Sequence, residues 1–172
     1  MKGECNMEFR ALTEKDIDVR VAMVKENGVS LLLYKDARVD MDILDETVGP
    51  TNWQREHQFK DGKLYCKVSI WDSEKQQWVG KEDVGTESNT EQEKGQASDS
   101  FKRACFNWGI GRELYTSPFI WIKPEDCTIK QYNGRFICTD KFTVEKIEIK
   151  DKEITGISIR CNGNRCFIWT KK

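Results

Sequence analysis

The sequence predicts an α+β protein: an antiparallel β-meander followed by a long helix, with C-terminal β-hairpins. Three observations predict it. Between Trp53 and Thr86, three strand-length runs are separated by turn residues. From Lys94 to Trp108, Ala97, Phe101, Ala104, Cys105 and Trp108 recur at helical spacing. At about 100° per residue they share one stripe. Beyond Pro118 and Pro124 the chain becomes short alternating runs broken by turn signals such as Asn133-Gly134 and Asn162-Gly163. The expected organisation is a β-β-β-α core over residues 1–122. Residues 123–172 then form a hairpin region that extends the core or makes a small subdomain.

In order along the chain, a first helix is expected from Thr13 to about Glu26. Thr13 caps it with Asp16 three residues on, and Ile17, Val21 and Val24 recur at helical spacing. Asn27-Gly28 ends it, and Val29–Tyr34 reads as a strand. Arg38–Val48 carries Val39, Ile43, Leu44 and Val48 among acids, a short amphipathic helix closed by Gly49-Pro50. The meander follows as Trp53–Phe59, the Asp61-Gly62 turn, Lys63–Trp71 with alternating Leu64, Cys66, Val68 and Ile70, and Trp78–Thr86. Polar residues Glu87–Glu93 lead into the long helix, and Gly109 and Gly111 terminate it. Turns at Tyr132-Asn133-Gly134-Arg135, Lys150-Asp151-Lys152 and Asn162-Gly163 divide the remainder into hairpins.

Bulk properties narrow the function classes. The 172 residues carry 28 cations and 29 anions, a net charge of -1. A dedicated nucleic-acid binder is often basic, so the average argues mildly against one unless the two signs are segregated on different faces. No stretch approaches the ~18–20 apolar residues of a membrane span, and MKGECNMEFR has no apolar signal core. A cytoplasmic location is expected. The seven cysteines are odd in number and mostly set among apolar residues, as reduced thiols would be. Cys161 and Cys166 flank Asn162-Gly163-Asn164-Arg165; a zinc site there needs about two further ligands, and the single histidine, His57, is distant in sequence. A hairpin turn accounts for the pair, with the two cysteines as cross-strand neighbours.

Candidate chemistry is sparse. Asp36, Asp40, Asp42, Asp45 and Glu46 crowd the second helix. A metal-dependent nuclease needs carboxylates converging on one or two divalent ions, whereas a solvated helix face needs only charge. Glu82 and Asp83 are a second acidic pair to weigh in the same way. No nucleophile elbow and no phosphate-cradling Gly-rich loop is present. On the long helix, Lys102 and Arg103 leave the buried stripe, and Lys94 lies on the flank of Lys102 two turns upstream. Such a row suits a phosphate backbone. It also suits a solvated face balanced by Glu91, Glu93 and Asp99.

One constellation resembles a known family. Glu82-Asp83-Val84-Gly85, followed by Lys94-x4-Asp99-x-Phe101-Lys102-Arg103-Ala104-x3-Trp108-Gly109, is similar to the signature of the Rad-fifty-two/Rad-twenty-two type of single-strand annealing proteins, which includes phage recombination members. Upstream, Tyr34-Lys35-Asp36-Ala37-Arg38-Val39 with Gly49-x-x-x-Trp53, and Asp61-Gly62-Lys63-Leu64-Tyr65, resemble further family segments. The similarity spans residues 29–115 in order.

The resemblance implies an ATP-independent, non-catalytic protein that anneals complementary single strands in homologous recombination and double-strand break repair. Protomers would form a ring or filament with one strand in a cationic groove. Lys102 and Arg103 would hold phosphates from the helix, Arg38 from the opposite wall, and Lys94 would support the same track. Lys63 and Arg55 complete the expected DNA-binding set. No cofactor and no metal is implied. The expected partners are single-stranded DNA, further copies of the chain, and a host or phage single-strand-binding protein or exonuclease, in the host cytoplasm for a phage-encoded member. Two departures stand out. Pro50 replaces an aromatic after Gly49, and Phe106 replaces a cation, which points Phe106 towards a subunit interface instead.

Overall fold

The computed structural model describes residues 7–86 and 92–172, the side chains of 92–94 excepted. It has the expected α+β class, with mostly antiparallel strands. In chain order the strands and helices are β1 (Asp18–Lys25), β2 (Gly28–Tyr34), α1 (Ala37–Val48), β3 (Trp53–Lys60), β4 (Lys63–Asp72), β5 (Gln77–Val84), α2 (Gln92–Trp108), β6 (Ile120–Ile122), β7 (Lys130–Tyr132), β8 (Arg135–Ile137), β9 (Phe142–Lys150), β10 (Glu153–Cys161) and β11 (Asn164–Thr170). Most of the polar approach expected over 87–93 lies outside the described residues.

The expected meander is a three-stranded sheet in the order β3-β4-β5. Leu64, Cys66, Val68 and Ile70 are its buried row, and Lys67 between them is exposed. Alternation works here because one face is covered and the other is not. Helix α2 packs across β4 and β5, and α1 packs on α2 and β3. Phe101, Ala104, Cys105, Ile43 and Leu44 are fully buried beneath these helices. The end of α2 follows from its glycines. Ile110 N–H returns to Cys105 O at 3.1 Å and Gly109 N–H to Phe106 O at 2.9 Å, with Gly109 at φ 101°. A side chain at that angle is strained, so glycine terminates the helix.

The N-terminal expectation is corrected. The Thr13–Asp16 contact forms, with Asp16 Oδ2 accepting Thr13 N–H and Oγ–H at 2.8 Å, but it caps a turn. The chain then continues as strand β1, not as a helix over 13–26. The reason is a bulge: pairing with β2 shifts between Val21 and Met23. Val19 and Val21 face the core before the bulge and Val24 after it. A one-residue slip in a two-residue period imitates helical spacing at 17, 21 and 24.

β1 and β2 belong to a six-stranded sheet in the order β11-β10-β9-β1-β2-β6. Its core is Val29, Leu31, Ile120, Ile122, Phe142, Ile154, Ile157, Ile159 and Cys161. Four two-residue hairpin loops, at Asp61-Gly62, Asn133-Gly134, Asp151-Lys152 and Asn162-Gly163, have both residues at positive φ. That geometry matches the right-handed twist of the strands it joins. Among the described residues, β7 and β8 pair only with each other.

The compact units differ from a division at 122/123. One comprises the described residues up to Arg10 with those of Ala37–Gly111; the other comprises Ala11–Asp36 with Arg112–Lys172. Because β1 pairs with β9 and β2 with β6, the first hairpin belongs with the last strands. Among the described residues, no helix is long and apolar enough to cross a membrane.

Candidate functional site

The six expected DNA-binding cations all fall in the unit built on Ala37–Gly111. What positions them is the seating of α2 on the three-stranded sheet. Gly85 follows β5 where the helix comes closest. A Cβ there would stand 2.2 Å from Gln96 O and 2.9 Å from Ser100 N. Only glycine allows that approach. Asp99 fixes the same junction, its Oδ2 accepting Thr86 N–H at 2.9 Å and Thr86 Oγ–H at 3.0 Å. At the other end, Trp108 Nε1–H donates to Val68 O at 3.0 Å and Asn107 Nδ2–H to Glu82 O at 3.0 Å. Gly85, Asp99 and Trp108, prominent in the motif, therefore act by holding the helix in place.

The cations then separate. On the β3 side, the Arg55 guanidinium carbon lies 4.8 Å from the centre of the Phe101 ring, and Trp53 stacks on that ring at 6.1 Å. A guanidinium on an aromatic face gains a cation–π attraction and a fixed plane. Its charge reaches Cys66 as well: burial pushes that thiol up to about 11, while Arg55 acts to lower it. Lys102 follows Phe101 directly on α2 and is half-buried.

Arg103 reaches the edge of β5. Its Nε–H donates to Asp83 Oδ1 at 3.3 Å, with 37% of the side chain still exposed. Arg38 is exposed in the first turn of α1, and the Trp53 Nε1–H bond to Asp45 Oδ1 at 2.6 Å ties that helix to β3. Lys63 is not brought to this group. It opens β4 opposite Lys60, while Arg55 sits opposite Val68; five residues of strand separate them by roughly 17 Å. The Lys94 side chain lies outside the described residues.

The acids do not converge. Asp40 is buried, Asp42 is exposed, Asp45 holds Trp53, and Glu46 Oε2 accepts Arg10 Nε–H at 2.7 Å. Glu82 and Asp83 are adjacent on a strand and so face opposite ways; Glu82 Oε2 takes Lys60 Nζ–H at 2.7 Å while Asp83 meets Arg103. His57 Nε2 lies 3.1 Å from Ala97 O and joins β3 to α2. Sequence reasoning missed that Phe101 is a platform as well as a core residue. The available signal was an arginine two residues after Trp53 on the strand that α2 must cover.

Compared with family models, curated proteins and solved structures, the chain matches none.

Proposed function

We propose that this protein binds single-stranded DNA along its phosphate backbone and promotes annealing of complementary strands, without nucleotide hydrolysis and without catalysis. The observation that carries the proposal is the Arg55 guanidinium on the ring of Phe101, the residue that precedes Lys102 on a helix locked to its sheet. A guanidinium held in plane by an aromatic face is ready for two-point contact with phosphate oxygens and loses little freedom on binding. Arg103 contributes positive charge on the neighbouring flank, moderated by Asp83, and Arg38 contributes from α1. Backbone contacts of this kind position a strand and carry no base code. The reading therefore fits a protein that must accept any sequence and leave bases open to a complement.

Assembly into a ring or filament belongs to the same proposal. It multiplies a modest cationic strip over many copies, so a net charge of -1 per chain is tolerable. The edges of β3 and β5, each paired on one side only, offer strand-pairing surfaces to a neighbour.

The test is a fluorescence annealing assay without nucleotide, comparing the native chain with Lys102→Ala, Arg38→Ala and Arg55→Ala. Each variant is expected to stay folded, bind more weakly, anneal more slowly, and show a salt slope shallower by about one unit per lost phosphate contact. If all three anneal at the native rate, the site is misassigned. Magnesium-dependent cleavage of the strand that disappears in Glu82→Ala would replace the proposal with a nuclease.

A further inference from the structure

The six-stranded sheet presents an aromatic surface that the phosphate contacts of the other unit do not use. On its β1-β2-β6 portion, Val19, Val21, Leu31, Leu33, Ile120 and Ile122 face the core. Residues alternating with them stand on the opposite face: Arg20, Leu32, Tyr34, Trp121 and, just before β6, Phe119. Register aligns them across the strands, with Arg20 opposite Leu32 and Ser30 opposite Trp121. Large apolar groups are left in solvent here: Phe119 is 76% exposed, Leu32 48% and Tyr34 40%. The Trp121 ring is seated on main chain. It lies over Gly28, where a Cβ would stand 2.5 Å from ring atoms Cε2 and Cζ2. Phe119 stacks on it, with centroids 6.1 Å apart and planes 19° from parallel. The open end of that stack is therefore the Phe119 ring.

We propose that this face binds single-stranded DNA by its bases, one base extending the Trp121–Phe119 stack while Arg20, Lys25 and Lys123 draw the adjoining phosphates. Its ligand rests on the single-strand-binding reading above; the contact is of a different kind and lies in the other compact unit, Ala11–Asp36 with Arg112–Lys172. Phe119-Ile120-Trp121-Ile122 is apolar on both faces. A strand needs that pattern only where both faces are covered, and the Phe119 side is not. An exposed patch of this kind marks a binding surface, and its charge names the occupant. On the outward face of β1, β2 and β6, continued to Lys123, three cations stand against one acid, Asp18, at the start of β1. Arg20 and Lys25 carry no ion pair among the described residues, and Lys123 has Glu125 at 3.7 Å. Aromatic rings beside cations suit unpaired nucleotides, because every base offers a π-face and every linkage a negative charge.

The two contacts use different parts of a nucleotide. Phe101, on which Arg55 lies, has no exposed surface, so no base reaches that ring and the contact there is to phosphate alone. Phe119 offers an open ring and takes a base. Stacking also tells a single strand from a duplex. In a duplex both faces of a base already lie against neighbours, and using one of them means unstacking it first. The face therefore holds an unpaired base and gives it up once the base joins a complement. Sequence preference is slight, because stacking reads no hydrogen-bond pattern.

The experiment measures binding of the full chain to three labelled ligands of equal length: a single DNA strand of mixed sequence, the same strand with abasic sites throughout, and a duplex. Phe119→Ala should stay folded, since that side chain is mostly in solvent. It should weaken binding of the mixed strand by about five- to a hundredfold and leave the abasic strand and the duplex unchanged. Phe119→Trp should restore native binding. Arg20→Ala should weaken both single strands and make their salt slopes shallower by about one unit. Native affinity of Phe119→Ala for the mixed strand overturns the proposal, as do equal losses on the mixed and abasic strands. If Phe119→Ala binds normally but changes the particle mass in light scattering, the face joins copies of the chain and the proposal is overturned. Lys102→Ala separates the two sites. A loss there with native binding by Phe119→Ala leaves only the phosphate contacts standing, and the opposite result leaves only the stack. A native chain that binds no single strand overturns both.

Discussion

Gly85, Phe101 and Glu145 show how single side chains, or the lack of one, decide what surrounds them. At Gly85 the atoms that a methyl group would strike are main-chain atoms of α2, which cannot rotate aside. Gly85→Ala is therefore expected to lift the helix and cost about 1–3 kcal/mol, measured by urea unfolding. Phe101 has no exposed surface. Phe101→Ala should cost about 3–5 kcal/mol and should also release Arg55, so DNA affinity should fall even where the variant is kept folded at low temperature. Glu145 receives Arg165 Nε–H at 2.6 Å and Arg160 Nη2–H at 2.5 Å. Arg165 first and Arg160 second pull its carboxyl from the ordinary 4.5 down to about 2. A lowered pKa means that its contribution is present above pH 4.5 and is lost as pH falls through about 2. Carbon-13 titration of the carboxyl should give a midpoint near 2; one near 4.5 would show that the two arginines do not hold it. Lys102 and Phe101 were legible in the sequence because helical period separates stripe from flank. The turn of Arg103 towards Asp83 was not, because period gives the direction in which a side chain leaves the helix and not where its end comes to rest.

At the scale of elements, the meander and α2 were readable because each obeys one period from end to end and is closed by Asp-Gly or glycine. β1 was misread for the opposite reason. Its bulge breaks the two-residue period at the position where a helical count takes over, and only the pairing with β2 resolves the ambiguity. Amide exchange should accordingly protect strand positions in Asp18–Lys25 that face β2, without the continuous protection of a helix. The junction of β5 with α2 gives a second expectation. Asp99→Ala removes the acceptor of two Thr86 bonds and should cost about 1.5–3 kcal/mol, the range for hydrogen bonds to a charged group. Exchange should rise at the Thr86 amide, while the β4–β5 ladder stays protected.

For the whole molecule, local pattern conveyed the order of elements but not which strands meet. Nothing near Asp18 announces that its partner is Thr143, since pairing across such a distance is decided by the sheet as a whole. The same limit hid how the cysteines lie: Cys161 and Cys166 were expected as cross-strand neighbours, whereas Cys161 pairs with Asn164, and Cys127 and Cys138 join them on one apolar cluster only through three-dimensional packing. Assembly is the property to measure at this scale. Light scattering is expected to give a mass of several copies, and a monomer both with and without DNA would remove the ring or filament from the proposal.

The pairing of Asp18 with Thr143 also sets a timetable. A ribosome adding ~5–20 residues per second makes the β1–β2 hairpin roughly 6–25 s before the strand it must join. During that interval Ala37–Gly111 is synthesised in one uninterrupted stretch and has everything its own sheet requires. The nascent chain should therefore fold from its middle outward, with the first hairpin unjoined until the last strands emerge. Chains arrested once Gly111 has left the tunnel should already protect the β4–β5 ladder from exchange, and protection of β1 should appear only once β9 has left the tunnel.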